Sequence, residues 1–343
     1  MIIRTVAYPR AALIGNPSDG YFGKTISFAF RNFAAHIELW ESPELELLPS
    51  RRDHSVFTSV ADLHADVKAH GYYGGFRVLK ASIKVFYEYC RDEGIPLADR
   101  NFTLRYRSDI PNRVGLAGSS ALIMACLRAL MEFYGVEIEA SQLANVVLAV
   151  ENSELGIPAG LQDRVAQAYQ GLVYMDFAKS LMDSRGYGDY QPLDLSLLPP
   201  VYVAYREDLS EGTEVYHNDL RSRWQKGDPE VHQAMADWAS LTTDFRNALA
   251  AGDIDAMHQL VNTNFDKRAE LYDVGDGNRD MVATARRAGA SANFAGSGGA
   301  IVGLYKDEAV FQKLAAAFAP KGIRVIRPDF APSLRPLEET AAA

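Results

Sequence analysis

The sequence predicts an α+β protein in two lobes. Three observations lead there. The chain has 343 residues, enough for two hydrophobic cores. Its first half interleaves strand patterns with long helices, and its second half opens and closes on strands around a run of helices. A hydrophobic content of 48% with 23% charged residues is that of a soluble globular protein, not of a disordered or fibrous chain.

Taken in order, Ile2–Ala7, Thr25–Phe30, Ala34–Trp40 and Phe102–Arg107 carry the β-branched and aromatic content of strands. Gly75–Asp92 reads as a helix on a sheet, with Phe76, Leu79, Ile83 and Phe86 three or four apart and Arg77, Lys80, Lys84 and Glu88 on other faces. Ser119–Tyr134 and Ser141–Ser153 are also helical, and Gly135 stops the first of these. Val165–Tyr169 reads as helix and Gly171–Asp176 as strand. From Ser184 to Pro200 the composition turns to Gly, Asp, Tyr and Pro, which marks a crossing between lobes. Beyond it, strand Val201–Tyr205 leads to helices near 229–250, 254–272 and 278–288. Strands Ala300–Tyr305 and Ile323–Ile326 then flank helix Glu308–Phe318, a pattern that suits helices on a small antiparallel sheet. The expected division is 1–190, 191–335 and a frayed tail at 336–343.

With 35 basic and 44 acidic residues the net charge is −9, which disfavours a broad nucleic-acid groove and asks any anion site to supply its own Arg or Lys. Cys90 and Cys126 lie in apolar helical patterns without metal-ligand spacing and read as buried free thiols. With no signal-peptide pattern and no run approaching the ~20 apolar residues of a membrane span, a cytoplasmic location is expected.

Four segments carry chemistry. Pro111-Asn-Arg-Val-Gly-Leu-Ala-Gly-Ser-Ser-Ala121 opens an apolar helix, so its glycines and unpaired first-turn N–H groups can receive a phosphate, although a Ser-capped turn has the same pattern. Pro9–Thr25 runs from a strand into a loop rich in Gly, Pro and Asp; Gly23-Lys24-Thr25 is no P-loop, because a strand follows it. In Glu151–Arg164, Asp163 falls in the first turn of a helix, where the dipole keeps a carboxylate ionised, and Glu151 ends a helix against its dipole preference. Salt bridging or simple solvation are the competing readings of those two acids. Ala292–Ala300 holds Gly296-Ser297-Gly298-Gly299 before a strand and lacks the spacing of a dinucleotide fingerprint.

Together and in this order, the four segments resemble the GHMP kinase superfamily. The resemblance implies a ribosomal-protein-S5-like first lobe and a ferredoxin-like α/β sandwich as the second. It implies that Gly115, Leu116, Ala117, Gly118, Ser119, Ser120 and Ala121, with Gly296, Ser297 and Gly298, hold ATP; that Ser120 and Glu151 hold Mg2+; and that Asp163 and Arg10 are catalytic. Ala117 is one residue more than the superfamily loop has, and Glu151 and Asp163 are likewise one residue further apart than in mevalonate kinases. Within the superfamily, Gly15–Asp19, Tyr72–Gly75, Ala159–Gln167, Asn264–Asp266 and Phe294–Ala300 look like the glucuronokinase branch. That implies phosphorylation of D-glucuronate at its anomeric hydroxyl, with Asn16, Asp19, Tyr21 and Asp163 at the sugar. A uronate carboxylate calls for an Arg or Lys; Lys24, Arg77, Arg113, Arg164 and Arg268 lie in or beside the matched segments, and Arg164 or Arg268 is the choice among them. Another sugar acceptor (galacturonate, a neutral hexose, arabinose or a heptose) and a non-catalytic sensor are the alternatives.

Overall fold

The computed structural model describes residues 1–50, 53, 58–64, 74–206 and 220–335; Tyr72, Tyr73 and the expected frayed tail lie outside these. The chain runs through β1 (Ile2–Ala7), β2 (Arg10–Ile14), a 3-10 turn at Ser18–Tyr21, β3 (Lys24–Ala29), β4 (Ala35–Ser42) and β5 (Glu46–Leu48). Then come α1 (Gly75–Asp92), β6 (Asn101–Ser108), α2 (Gly118–Tyr134), α3 (Ala140–Ala149), a π turn at Val150–Glu154, α4 (Gln162–Tyr169), β7 (Leu172–Asp176), α5 (Lys179–Arg185) and β8 (Asp189–Leu193). The second half contains β9 (Val201–Tyr205), α6 (Pro229–Ala251), α7 (Ile254–Leu271), α8 (Asp276–Arg287), β10 (Asn293–Phe294), β11 (Ala300–Leu304), α9 (Glu308–Phe318) and β12 (Arg324–Ile326).

The strands form three sheets ordered β1-β4-β6-β5, β2-β3-β7-β8 and β10-β11-β9-β12, antiparallel throughout except where β5 runs parallel to β6. α2 is apolar nearly all round because it packs on β1, β4 and α1 together. β9 shows the period of two directly: Val201, Val203 and Tyr205 enter the large core, whereas Tyr202 and Ala204 enter a second core under α8 and α9. A strand buried on both faces reads as the unbroken apolar run seen in the sequence.

Two expectations change. Within the Ser184–Pro200 segment, where the composition suggested connecting chain, Asp189–Leu193 is β8, paired with β7, leaving 194–200 between β8 and β9. The Tyr190 ring packs against Tyr169 and Phe177, so burial outweighs the turn-like composition. The helix expected at Ser141–Ser153 is α-helical only to Ala149 and then widens into the π turn. In α1 the buried face is Val78, Leu79, Ser82, Phe86 and Cys90, with Phe76 and Ile83 flanking it. Cys90 and Cys126 are buried free thiols, and among the described residues no helix is long and apolar enough to cross a membrane.

β2 meets the second half of the chain: Ala12 N donates to Ala295 O at 2.8 Å, just before the glycine turn. The starts of α2 and α4 converge on the same seam.

Candidate active site

α2 begins without a side-chain cap, behind Ala117 in the left-handed conformation at φ 61°, ψ 42°. A non-glycine residue there needs support. It comes from three donors to the Ala117 carbonyl: Ala121 N at 3.1 Å, Ser120 Oγ at 3.1 Å and Gln167 Nε2 at 2.9 Å. The uncapped first turn keeps N–H groups for a ligand. Leu116 and Ala121 send their side chains into the core, so only their backbone can serve. The loop rests on the glycine turn, and a Cβ on Gly115 would sit 2.9 Å from Ser297 N.

Arg10, the first residue of β2, ties these parts together. Its Nε donates to Asp163 Oδ1 at 2.6 Å, and its NH1 donates to the carbonyls of Gly115 and Ala295, each at 2.6 Å. Gly296 must be glycine-sized here, because a Cβ would lie 2.2 Å from Gly115 O and 3.0 Å from both terminal nitrogens of Arg10. Asp163 stands in the first turn of α4. Its burial works against the charge, but Arg10 and Arg164 outweigh that and hold its carboxyl below the usual range.

Arg164 is wholly engaged. Nε bonds Glu151 Oε2 at 2.7 Å, NH2 bonds the same oxygen, and NH1 donates to Gly160 O at 2.8 Å and lies 3.2 Å from Asp163 Oδ2. Buried at 4% exposure, it links the two acids and has no edge left for a substrate carboxylate. The π turn brings Glu151, itself 3% exposed, to this partner. Arginine at the position after Asp163 was the signal for this pair, but sequence spacing alone did not show which acid it meets.

Asp19 lies on the 3-10 turn, its Oδ2 accepting from Gln162 N at 3.3 Å, against Gly160, where a Cβ would clash at 2.1 Å. Burial first, then the neighbouring Asp163, pushes its carboxyl up to about 6. The two aspartates are therefore driven apart in acidity, Asp163 down and Asp19 up. Tyr21 packs its ring 5.2 Å from that of Trp224.

Asn16 is turned away from this space. It is 3% exposed, its Nδ2 donates to Phe294 O, and its Oδ1 accepts from Asn293 Nδ2. Asn264 completes the cluster, accepting from Gly15 N at 2.7 Å and donating to Asn16 O and Asn293 Oδ1. Buried amides require partners, and these three satisfy each other while fastening the loop before Asp19 to α7 and β10. Asn264 and Asn293, not among the expected site residues, are its positioning residues; both stood in segments already singled out.

Arg268, 1% exposed, donates from NH1 to Gly296 O at 3.0 Å. Of the seven buried side-chain polar atoms without a partner among the described residues, five belong to the site segments and their candidate residues: Ser119 Oγ, Asn152 Oδ1, Gln162 Oε1, Gln167 Oε1 and Arg268 Nε. Such a concentration of unsatisfied groups marks a place shaped for a ligand.

Comparison with known proteins identifies the family. The model for the GHMP kinases N terminal domain matches residues 78–171, and that for the GHMP kinases C terminal domain matches 245–323. The chain is 44% identical over 302 residues to Glucuronokinase 1 of Arabidopsis thaliana, covering 86% of this chain and 83% of that protein. Among solved structures it is similar in fold to the Lin0012 protein of Listeria innocua, with TM-score 0.78 and 14% identity, covering 97% of this chain and 99% of that one. It is similar also to Lactococcus lactis galactokinase, solved with galactose, with TM-score 0.75 and 16% identity, covering 98% and 95% respectively. With both lobes matched and a close relative spanning most of its length, the chain belongs to the GHMP kinase family.

Proposed function

We propose that the protein is an ATP-dependent sugar 1-kinase that phosphorylates the anomeric hydroxyl of D-glucuronate, giving glucuronate 1-phosphate. The observation that carries the reaction class is the Arg10 guanidinium, which binds Asp163, the phosphate-type loop and the glycine turn at once. The choice of acceptor is supported by the 44% identity to a glucuronokinase.

In this reading the α2 start and the Gly296–Gly298 turn receive the ATP phosphates. The C1 oxygen forms a bond to the γ-phosphorus as the bond from that phosphorus to the bridging oxygen of ADP breaks. Such a transfer is loose and asks the protein for position and charge more than for covalent chemistry. Asp163, held anionic by two arginines, is a weak base; it orients the hydroxyl and takes the proton late, once the oxygen has become acidic. Arg10 faces the charge that develops on the phosphoryl oxygens.

Glu151 and Ser120 are the proposed Mg2+ ligands, and the residues present fit that ion. Both Arg164 bonds fall on Glu151 Oε2 and leave Oε1, while Ser119 beside Ser120 has a buried hydroxyl without a partner among the described residues. Mg2+ is commonly held by one or two protein oxygens together with water and substrate phosphates. When bound, it supplies charge neutralisation to the phosphates. A cytoplasmic location, and a lobe boundary at the 194–200 crossing, belong to the same reading.

The test is ADP release with MgATP across a panel of sugars and sugar acids, with the phosphorylated position read by phosphorus NMR. Glucuronate as preferred acceptor and an anomeric phosphate are expected. Equal rates on glucose and glucuronate would overturn the acceptor assignment.

A further inference from the structure

The buried guanidiniums of the site differ in one respect. Arg10 meets Asp163, and Arg164 meets Glu151 and Asp163. Arg268, the most deeply buried of the three, is paired with no carboxylate among the described residues. It has one bond to the Gly296 carbonyl and the face of Phe294, with its guanidinium carbon 5.1 Å from that ring centre. A carbonyl and an aromatic face compensate only part of a full buried charge.

The geometry of what is missing is specific. NH1 is the atom used by Gly296 O, and Nε is buried with no partner. The Nε–NH2 edge is thus left open, and two N–H groups on one edge of a guanidinium are what a carboxylate takes in parallel. Gly296 lies between two arginines: its carbonyl accepts from Arg268, and a Cβ on it would touch Arg10. On the Arg10 side are Asp163 and the phosphate loop. Asp19, which lies beside Asp163, also acts on the charge of Arg268.

We infer that Arg268 is the specificity-determining residue of the acceptor site, receiving through its Nε–NH2 edge a carboxylate carried by the sugar. This rests on the reading of the protein as a uronate kinase and gives that reading its selectivity. A neutral hexose placed with its anomeric hydroxyl at Asp163 leaves the buried guanidinium without an anion, so the preference comes from an unmet charge as much as from a new contact. Position separates this anion from the phosphates of ATP, whose loop carbonyl at Gly115 is held by Arg10.

The experiment compares wild type with Arg268→Met and Arg268→Lys. It reads kcat/KM on glucuronate and on glucose, melting temperature with and without glucuronate, and affinity for a non-hydrolysable ATP analogue. In wild type, glucuronate is preferred and raises the melting temperature. In Arg268→Met the glucuronate-to-glucose ratio falls by at least ~100-fold, as expected where a polar partner is removed from a desolvated recognition site. The glucuronate-induced thermal shift disappears, and the sugar-free protein melts no lower than wild type because an uncompensated charge has gone. Arg268→Lys, which keeps charge and loses the fork, falls between them.

A folded Arg268→Met that keeps the glucuronate preference overturns the assignment while the uronate reading stands. Loss of nucleotide affinity with sugar preference intact overturns it in favour of a phosphate contact. A lower sugar-free melting temperature with an unchanged glucuronate shift assigns Arg268 a structural role and also overturns it. A wild-type enzyme indifferent to the sugar carboxylate overturns the uronate reading itself, and with it this inference.

Discussion

Arg10 Nε and Asp163 Oδ1 are 2.6 Å apart, and 153 residues of chain separate them. Because the same guanidinium holds the carbonyls of Gly115 and Ala295, the charge state of Asp163 is coupled to the placement of both loops that would face the nucleotide. Removing either partner therefore disturbs position as well as charge.

Asp163→Asn tests the role of that carboxylate. The amide keeps shape and loses the negative charge that orients the hydroxyl. Turnover is expected to fall at least ~100-fold, with far-UV circular dichroism and nucleotide affinity retained. Turnover within a few-fold of wild type, measured by steady-state kinetics, rules out the assignment.

Arg164 and Glu151 form a pair with side-chain exposures of 5% and 3%. Arg164→Met alone leaves a buried carboxylate unmatched and is expected to cost about 3–5 kcal/mol in urea unfolding. Glu151→Leu behaves alike, and the double variant recovers most of the loss while remaining inactive. Additive losses in the double-mutant cycle would show that the two groups act independently.

Asp19 gives the protein a pH signature. Its carboxyl is raised from 3.8 to about 6, so the folded state prefers it protonated. That contribution is complete below the unfolded value and is lost as pH rises through about 6, where ionisation must occur in a buried site and beside Asp163. Asp19→Asn should therefore raise the melting temperature relative to wild type more at pH 8 than at pH 5. A difference that is flat or reversed between those pH values would contradict the burial of Asp19 beside Asp163.

Gly296→Ala adds one methyl where a Cβ meets Gly115 O at 2.2 Å and Arg10 at 3.0 Å. The loops must separate and carry Arg10 with them. A small displacement at the reacting groups is enough for a loss of about 100-fold in kcat. Steady-state kinetics on the purified variant, alongside a thermal melt to confirm folding, measures it; an unchanged kcat would mean that the contact between the loops is dispensable.

Much of the fold was legible because burial imposes a period. β1, β9, α1 and α9 have the bounds their patterns predicted, since each presents a regular apolar face or an unbroken buried run. β8 escaped notice because Gly188 and Pro192 look like turn residues, while the force that makes it a strand is the packing of Tyr190, a contact made across sheet and helix. In the site, Arg10, Asp163 and the glycine-rich loops stood out by residue type and order. Which partners their neighbours choose did not. Asn16 reads as a polar loop residue, and only the meeting of Asn264 and Asn293 from distant segments shows that its amide is satisfied within the protein. Arg164 and Arg268 were equal candidates by sequence, and the structure separates them by what each already binds.

The π turn at Val150–Glu154 gives chain length an angular meaning in this enzyme. An α-helix advances about 100° per residue, so one residue more or fewer before Arg164 would swing a different side chain toward its guanidinium. Here the wider turn sets the direction of Glu151, and Ile157 N closes it on Glu151 O at 2.7 Å. A chain shortened by one residue within the turn would offer Val150 or Asn152 where Glu151 stands, setting an apolar or neutral group against a buried cation. At this point the fold is more sensitive to a change in the number of residues than to their exchange, because helical phase decides which group comes to rest beside Arg164.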